Sequence, residues 1–224
     1  MLATPEGEGP RPSRRPPNGE RRAYDSPRRT EQARTTRAQI AAAARRRFLE
    51  RGWAGTTVRA VAREAGVAEP TVYAVYGSKA RLALALIDAV EADADLARTS
   101  ADLDAASGDP AGQLAAMVAS DRRLFELAGD VISLLRDAGR SEPDLHAAYQ
   151  EGRAHGDQLR RQTFATWEAD AFREQTTPEA AADAFAALCN IDVYRVLTEE
   201  RGWTPEQVER WWDESLARLL LRQP

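Results

Sequence analysis

The sequence predicts an all-α protein of about nine helices, arranged as a small N-terminal helix-turn-helix unit and a larger helical body. Apolar residues recur at three- and four-residue spacing from about position 35 to position 221, and no stretch shows the alternating pattern of a strand. Several of the predicted helices begin with a capping residue followed by proline. Residues 56–79 contain two short apolar patterns separated by a single glycine, which is typical of two helices joined by a tight turn.

Residues 1–33 differ in composition from the rest of the chain. They are rich in Pro, Gly, Arg and Glu and contain almost no large apolar side chain, so they cannot bury enough surface to offset the loss of chain entropy. We therefore predict a disordered tail at 1–33, a first domain at 34–80 and a second domain at 81–224. The arginines of the tail can follow a phosphate backbone, or the tail is simply a solvated extension.

The first helix is predicted from about Thr35 to Arg51, and the second and third lie between Thr56 and Lys79. Thr56 is expected to cap the second helix, and Gly66 supplies the left-handed residue that ends it. In the third helix, residues four apart face the core, namely Val72 and Tyr76. The outward positions of that helix are then Glu69, Pro70, Thr71, Tyr73 and Ala74.

Charge is distributed unevenly along the chain. The net charge is −4, which by itself argues against binding to nucleic acid. However, residues 1–79 carry 16 basic and 8 acidic side chains, whereas residues 80–224 carry 15 and 27. Residues 35–79 alone hold 8 basic and 3 acidic side chains, so the asymmetry does not depend on the arginine-rich tail. A phosphate-binding face is therefore expected in the N-terminal third.

The body is predicted as a succession of helices. They are expected at 79–97, 110–127, 130–138, 143–169, 177–201 and 204–221. The last helix carries one apolar stripe, and the helix before it is apolar on nearly every side between Ala180 and Cys189. A helix of that kind must be covered on more than one face, either by its own core or by a second copy of the chain.

The sequence provides little support for an enzyme or a metal site. His146 and His155 are nine residues apart, so one helix points them in opposite directions. Cys189 has no evident catalytic partner, cannot form an internal disulfide, and fits a reducing cytoplasm. No apolar run approaches the length of a membrane span, and the N-terminus lacks the apolar segment of a signal peptide. We expect no cofactor, no metal and no membrane.

Several pieces of residues 35–80 resemble the DNA-binding domain of TetR-family transcriptional repressors. They are Ala42-Ala43, Phe48, Gly52-Trp53, Thr56-Thr57-Val58, Val61-Ala62, Ala65-Gly66-Val67, Pro70-Thr71-Val72-Tyr73 and Gly77-Ser78-Lys79. The close match covers about a fifth of the chain. The sequence departs from the family at Ala68, where many members have a capping serine, and at Ala74 and Val75, which replace larger or polar contact residues.

The resemblance implies a function and a set of contact residues. Phosphate contacts are implied for Thr57, Thr71, Tyr73 and Lys79, and base-facing positions for Glu69, Pro70 and Ala74. It also favours a homodimer through the last two helices, which would bind a palindromic operator in double-stranded DNA. We therefore expect a cytoplasmic transcriptional regulator, a repressor that a small-molecule effector releases.

Two other functions remain open from the sequence. One is a small-molecule binding protein with weak or vestigial DNA binding, and the other is an enzyme, for which no positive signal exists. The identity of the effector does not follow from the sequence. A set of large side chains in the body is a candidate for an apolar pocket or for ordinary core packing: Met117, Phe125, Phe164 and Trp167.

Overall fold

The computed structural model describes residues 27–93 and 96–222, and this part of the chain is helical without any strand. The prediction of an all-α fold is confirmed. The α-helices are α1 (Pro27–Gly55), α2 (Val58–Glu64), α3 (Glu69–Tyr76), α4 (Lys79–Asp93), α5 (Leu96–Ala105), α6 (Pro110–Ala138), α7 (Pro143–Phe164), α8 (Pro178–Leu188), α9 (Ile191–Arg195) and α10 (Pro205–Leu220). Gly52, with a φ of 65°, interrupts α1 directly after Arg51, where the sequence predicts that the first helix ends. A 3₁₀ turn spans Ala169–Ala171, and a π-helical turn spans Val196–Glu200.

The helix starts of the body use the capping chemistry that the sequence predicts. The Thr177 hydroxyl accepts from the Ala180 N–H before α8, and the Asp109 carboxylate accepts from the Ala111 N–H before α6. Thr204 and Gln207 form a reciprocal capping box at the start of α10. In all three cases a proline follows in the first turn, where its missing N–H leaves no hydrogen bond unmade.

Helix α1 begins earlier than predicted. It starts at Pro27, so the last seven residues of the predicted disordered tail are helical, while residues 1–26 of that tail lie outside the described part of the chain. The segment that follows Pro27 contains Arg, Glu, Gln and Ala, which favour a helix without needing a buried face.

The two helices predicted at 110–127 and 130–138 form the single helix α6. Asp130 does not cap a new helix, because its carboxylate accepts two hydrogen bonds from the Arg45 guanidinium, at 2.7 and 2.8 Å. Gly129 remains helical and lies where a Cβ atom would come within 2.9 Å of Ile191 Cδ1. The glycine thus allows close packing of α6 against α9 and does not end the helix.

The helix predicted at 177–201 is interrupted. Asn190 leaves the helical conformation, and its side-chain oxygen accepts from the N–H groups of Asp192 and Val193, so it caps α9. Asparagine competes in this way with the helical hydrogen-bond pattern. The chain then passes through the π-helical turn and stops at Gly202, whose φ of 72° is left-handed.

Two hydrophobic clusters form the core. One lies in the body and contains the largest buried aromatic side chains, among them Phe164, Phe185 and Trp212. The other joins α1 to α4 with the C-terminal half of α6 and the start of α7, through Val131, Leu135, Ala138 and Leu145. We call helices α1 to α3 the head. Its hydrophobic core is therefore completed by residues of the body.

Polar pairs are also buried between the helices of the body. The Arg160 guanidinium donates to Asp121 Oδ2 at 2.6 Å and lies 4.7 Å from the centre of the Phe185 ring. Trp167 Nε1 donates to Gln113 Oε1 at 2.6 Å. These contacts satisfy polar groups of α6, of α7 and of the segment after α7, whose burial without a partner would be unfavourable.

No helix in the described ranges is long and apolar enough to cross a membrane.

Replacing Gly129 by Ala should leave the free energy of unfolding within about 0.5 kcal/mol of the wild-type value, since moving Ile191 Cδ1, the end of a flexible side chain, offsets the gain from removing a helical glycine. The matched control is Gly152→Ala on the exposed side of α7, where no atom lies within 4 Å of the added carbon. That control should stabilise by about 0.5–1 kcal/mol. Urea unfolding of both variants measures the two values, and equal effects would contradict the packing role of Gly129.

Candidate nucleic-acid interface

The turn between α2 and α3 has the geometry that the sequence predicts. Gly66 has a φ of 68°, and the Val67 N–H donates to the Ala62 carbonyl at 3.0 Å, which ends α2. Helix α3 then begins after Ala68, which makes no side-chain capping bond. Glu69 lies in the first turn, where its negative carboxylate interacts favourably with the positive end of the helix dipole.

Helix α3 buries one face and exposes the other. Val72 is buried in the head, with 1% of its surface exposed, while Tyr73 is 47% exposed. Pro70 and Ala74 are also exposed and share this outer face with Tyr73 at three- and four-residue spacing. Glu69 and Thr71 are half-buried at its edge. The five positions predicted to face outward are therefore together on one short helix.

Tyr76 joins the end of α3 to α1 through a hydrogen bond. It is half-buried, and its hydroxyl donates to the Arg37 carbonyl at 2.9 Å. Burial raises the pKa of this phenol, which therefore remains protonated and able to donate. The next turn uses Gly77, with a φ of 78°, and Ser78, whose hydroxyl accepts from the Arg81 N–H at the start of α4. The predicted Ser78 cap is thus present.

The cap of α2 differs from the prediction. Thr57, not Thr56, accepts from the Ala60 N–H at 3.1 Å. Thr56 is buried, with its hydroxyl 2.9 Å from the carbonyl oxygens of both Arg47 and Gly52. The chain turns one residue later because the end of α1 supplies acceptors for Thr56. The Thr57 hydroxyl proton is still available to a ligand, since the cap uses only its oxygen.

Lys79 contacts the protein itself. Its ammonium donates to the Trp53 carbonyl and lies 4.0 Å from the centre of the Trp53 ring. Phe48 stacks on the Trp53 ring at 5.5 Å, and the Trp53 indole donates to Glu142 at the start of α7. Burial lowers the pKa of Lys79, and the nearby Glu142 carboxylate opposes that shift. We call Phe48, Trp53, Lys79 and Glu142 the tryptophan node.

Three arginines of α1 make ion pairs that the sequence did not predict. Arg45 binds Asp130 of α6 through two nitrogens and also donates to the Leu127 carbonyl at 2.9 Å. Arg46 and Arg47 both donate to Glu64 of α2, and these hydrogen bonds lower the pKa of that carboxyl. Such long-range pairs leave no periodic signal in the sequence. Among the residues of the head whose burial the structure describes, exposed basic side chains without an ion pair given above include Arg34, Arg37, Arg51, Arg59 and Arg63.

The four residues suggested for an effector pocket do not lie together around an open space. Met117, Phe164 and Trp167 are at most 9% exposed and belong to the body cluster, where Phe164 and Trp167 pack edge to face at 4.8 Å. Phe125 alone of the four borders a cleft, of about 560 Å³, between α1 and α6. Helix α9 and the π-helical turn close its far side.

The described residues contain no group of His, Cys, Asp and Glu side chains suited to a metal ion. Cys189 is buried in the body, and burial raises the pKa of its thiol far above the ordinary value. The thiol is therefore protonated at neutral pH and unsuited to act as a nucleophile.

The apolar stripe predicted for the last helix divides into two faces. Val208, Trp212, Leu216 and Leu220 repeat every four residues and are buried in the body. Trp211 is half-buried and packs edge to face against Trp203, and Leu219 is 47% exposed. The second face of α10 therefore presents apolar surface that the described residues do not cover completely.

Comparisons with known proteins agree with this geometry. Residues 40–86 match the family model of bacterial regulatory proteins of the tetR family. The chain is 45% identical over 83 residues to the HTH-type transcriptional regulator TtgR of Pseudomonas putida. This match covers 37% of this chain and 39% of that protein. A second relative, the probable HTH-type transcriptional regulator ArpR of Pseudomonas putida, is 45% identical over 75 residues, covering 33% and 36%. The chain thus matches less than two fifths of the length of these curated relatives.

Solved structures extend the likeness of the fold to nearly the whole chain. NalD, the secondary repressor of the MexAB-OprM multidrug efflux pump in Pseudomonas aeruginosa, is 24% identical, with a TM-score of 0.65 over 87% of this chain and 100% of that one. The ketosteroid transcriptional regulator KstR2 of Mycobacterium tuberculosis is 18% identical, with a TM-score of 0.62 over 84% and 95%. At these identities the likeness concerns the fold alone.

The geometry of α2 and α3 and the matched family model lead to one conclusion: residues 40–86 form an N-terminal domain similar to that of bacterial regulatory proteins of the tetR family.

Proposed function

We propose that the protein is a DNA-binding transcriptional regulator, a repressor that a small-molecule effector releases. The observation that carries this proposal is the outer face of α3, where Pro70, Tyr73 and Ala74 are exposed on a helix held in place by the buried Val72. A short, rigid helix of this kind fits the major groove of B-DNA.

The proposed contacts divide into two groups. Thr57, Thr71 and Tyr73 carry hydroxyl groups suited to donate to phosphate oxygens, which fixes the register of the helix on the duplex. Glu69, Pro70 and Ala74 lie toward the bases, where a glutamate can accept from cytosine N4 and a proline can pack on a thymine methyl group. Ala74 and Val75 are small or apolar, so we expect few hydrogen bonds to base edges.

Charge supports this orientation of the molecule. The exposed arginines of the head lie on the helices that flank α3, among them Arg59 and Arg63 of α2. The acidic excess of residues 80–224 lies in the rest of the chain. The field therefore attracts DNA to the head and repels it from the body.

We further propose a homodimer formed through the last helices. The partly uncovered face of α10, with Trp211 and Leu219, supports this interface, as do the half-buried Ala184 and Leu188 of α8. A two-fold pair would place two α3 helices on a palindromic operator, with half-sites about 34–36 Å apart. Residues 34–80 would then bind DNA and residues 81–224 would hold the dimer contacts and the effector, in the cytoplasm.

Two contacts between head and body give the effector a route to the DNA. The Arg45–Asp130 pair joins α1 to α6, and the tryptophan node joins α1 and α4 to the start of α7. An effector that binds one arrangement of α6 better than another shifts the population of head orientations. The spacing of the two α3 helices then no longer matches the operator.

Binding to DNA tests the proposed function directly. We expect the full-length protein to retard a duplex that contains the promoter region upstream of its own gene, with an affinity that falls steeply with salt. A folded dimer that fails to retard this duplex, and fails to bind any genomic fragment in a selection at low salt, would support the alternative of a small-molecule binding protein with vestigial DNA binding.

Tyr73→Phe should weaken operator binding by about 1 kcal/mol, since it removes one phosphate-directed hydroxyl and keeps the ring. The loss should be the same for the operator and for operators with single base changes, because a phosphate contact carries no sequence information. Fluorescence anisotropy on this set of duplexes measures both properties. A loss that depends on the base sequence would contradict the role of Tyr73.

Lys79→Met distinguishes a phosphate contact from the contact with Trp53. If the ammonium keeps its place in the tryptophan node when DNA binds, the slope of log K against log salt concentration should be unchanged. The same variant should destabilise the fold by about 1 kcal/mol, through loss of the cation–π contact. A slope smaller in magnitude by about one unit would instead assign Lys79 to a phosphate.

Leu219→Arg should weaken the dimer at least tenfold, because it places a charge in the proposed apolar interface. The matched control is Leu159→Arg, since Leu159 is also an exposed leucine, 36% accessible, on the separate helix α7. Sedimentation equilibrium of both variants gives the dissociation constants. Equal effects, or none, would exclude this face of α10 as the interface.

A further inference from the structure

The cleft between head and body is lined by both units. Leu49 and Trp53 of α1 form one wall, and Phe125 and Ser133 of α6 form the opposite wall. Tyr194 of α9 completes the far side. The volume of about 560 Å³ is in the range of sites for small organic molecules. A molecule bound here would touch α1, the first helix of the head, and α6, which contributes to the hydrophobic clusters of both the head and the body.

One buried hydrogen-bond donor that borders this cleft has no partner among the described residues. Ser133 borders the cleft, is 5% exposed, and has a hydroxyl without a hydrogen-bond partner. An unmet buried donor is unfavourable, so a ligand that brings an acceptor oxygen to the Ser133 hydroxyl would gain affinity.

The surfaces around the cleft favour an aromatic ligand. Three aromatic residues are among those that line the space, namely Trp53, Phe125 and Tyr194. Leu49, which also lines the space, is 53% exposed. Apolar side chains exposed beside a cavity are typical of ligand-binding sites.

The charges of the cleft disfavour an anion. Carboxylates outnumber guanidinium groups on its walls: Glu126, Asp130, Asp137 and Glu199 stand against Arg45 and Arg195. Arg122 and Arg136 contact Glu126 and Asp137 from outside the cleft, so the total field is nearly neutral and not positive. No guanidinium of the walls lacks a carboxylate, because Arg45 is bound to Asp130 and Arg195 to Glu199. A negatively charged ligand would therefore find no unpaired cation here.

We propose that this cleft binds an uncharged aromatic compound with an acceptor oxygen, such as an aromatic ketone. The ring system packs between Trp53 and Phe125, and the oxygen accepts from the Ser133 hydroxyl after rotation about the single Cα–Cβ bond. This inference rests on the proposed function, for which it names the effector class and its site. Occupancy widens the α1–α6 contact beside the Arg45–Asp130 pair and so changes the position of the head.

Three naphthalenes of similar shape test the chemistry of the site without any DNA. 2-Acetylnaphthalene supplies an aromatic body and a neutral acceptor, 2-ethylnaphthalene lacks the acceptor, and 2-naphthoate carries a negative charge. We expect equilibrium dialysis against the full-length protein to rank the ketone first, the hydrocarbon about fivefold weaker and the carboxylate at least tenfold weaker. Equal binding of all three, or strongest binding of the carboxylate, would overturn the proposal.

Substitutions place the ligand within the molecule. Ser133→Ala should weaken the ketone about fivefold and leave the hydrocarbon unchanged. Leu49→Trp, at an exposed position where it should not disturb folding, should fill the rim and weaken both compounds at least tenfold. The control Ser107→Ala, in the exposed turn between α5 and α6, should change neither. Binding of the ketone that is unaffected by both cleft variants would place it elsewhere and overturn the proposal.

Operator binding, measured by anisotropy with and without 2-acetylnaphthalene, completes the test. We expect the ketone to weaken operator binding by the wild-type protein at least fivefold and that of Leu49→Trp by less than twofold. An operator affinity that the bound ketone leaves unchanged would overturn the effector role and leave DNA binding intact. Failure of the proposed function has a different signature, since the protein would then bind no duplex even without the ketone.

Discussion

Helix α6 belongs to both hydrophobic cores, and the arrangement of the other helices depends on this. Its first half packs Leu114, Met117 and Val118 into the body, while its second half contributes Val131 and Leu135 to the core around α1 and α4. Because interiors are close-packed, a shift of α6 at one end cannot be absorbed at the other without moving its neighbours. The head is thus fixed to the body by packing and not by the chain connection through α4 alone.

The polar contacts between head and body lie beside this shared helix. Arg45 and Asp130 are 39% and 25% exposed, so their ion pair adds at most about 1 kcal/mol to stability. Its two-nitrogen geometry matters more for orientation, because it holds the guanidinium plane in one position relative to α6. The tryptophan node does the same for the end of α1. Weak but directional contacts of this kind suit a joint that must hold one orientation and still release it.

Helix α3 and the cleft are the two places where the structure departs from full capping or full hydrogen bonding. Helix α3 has only eight residues and lacks a side-chain cap, so its position depends on Val72, on Tyr76 and on the left-handed Gly66. The cleft retains the buried Ser133 hydroxyl, which has no hydrogen-bond partner among the described residues; this lowers stability and leaves room for a ligand to restore it. The shared core thus provides most of the stability. The uncapped helix and the unmet hydrogen bond both lie at surfaces that we propose to bind DNA or the effector.

The sequence by itself determined the helical class, the glycine turn, the outer face of α3 and most of the capped helix starts, because these depend on local periodicity and on side chains close in the chain. It also placed Val72 in the core and Ser78 at a helix start. Only the tertiary structure decided that α1 to α4 share a core with α6 and α7, that Arg45 pairs with Asp130, and that the Lys79 ammonium lies on Trp53. These contacts join residues 26 to 85 positions apart, and no local pattern encodes which distant groups will meet. The same reason explains why Met117, Phe164 and Trp167 fill the core while Phe125, at similar spacing, borders a cleft.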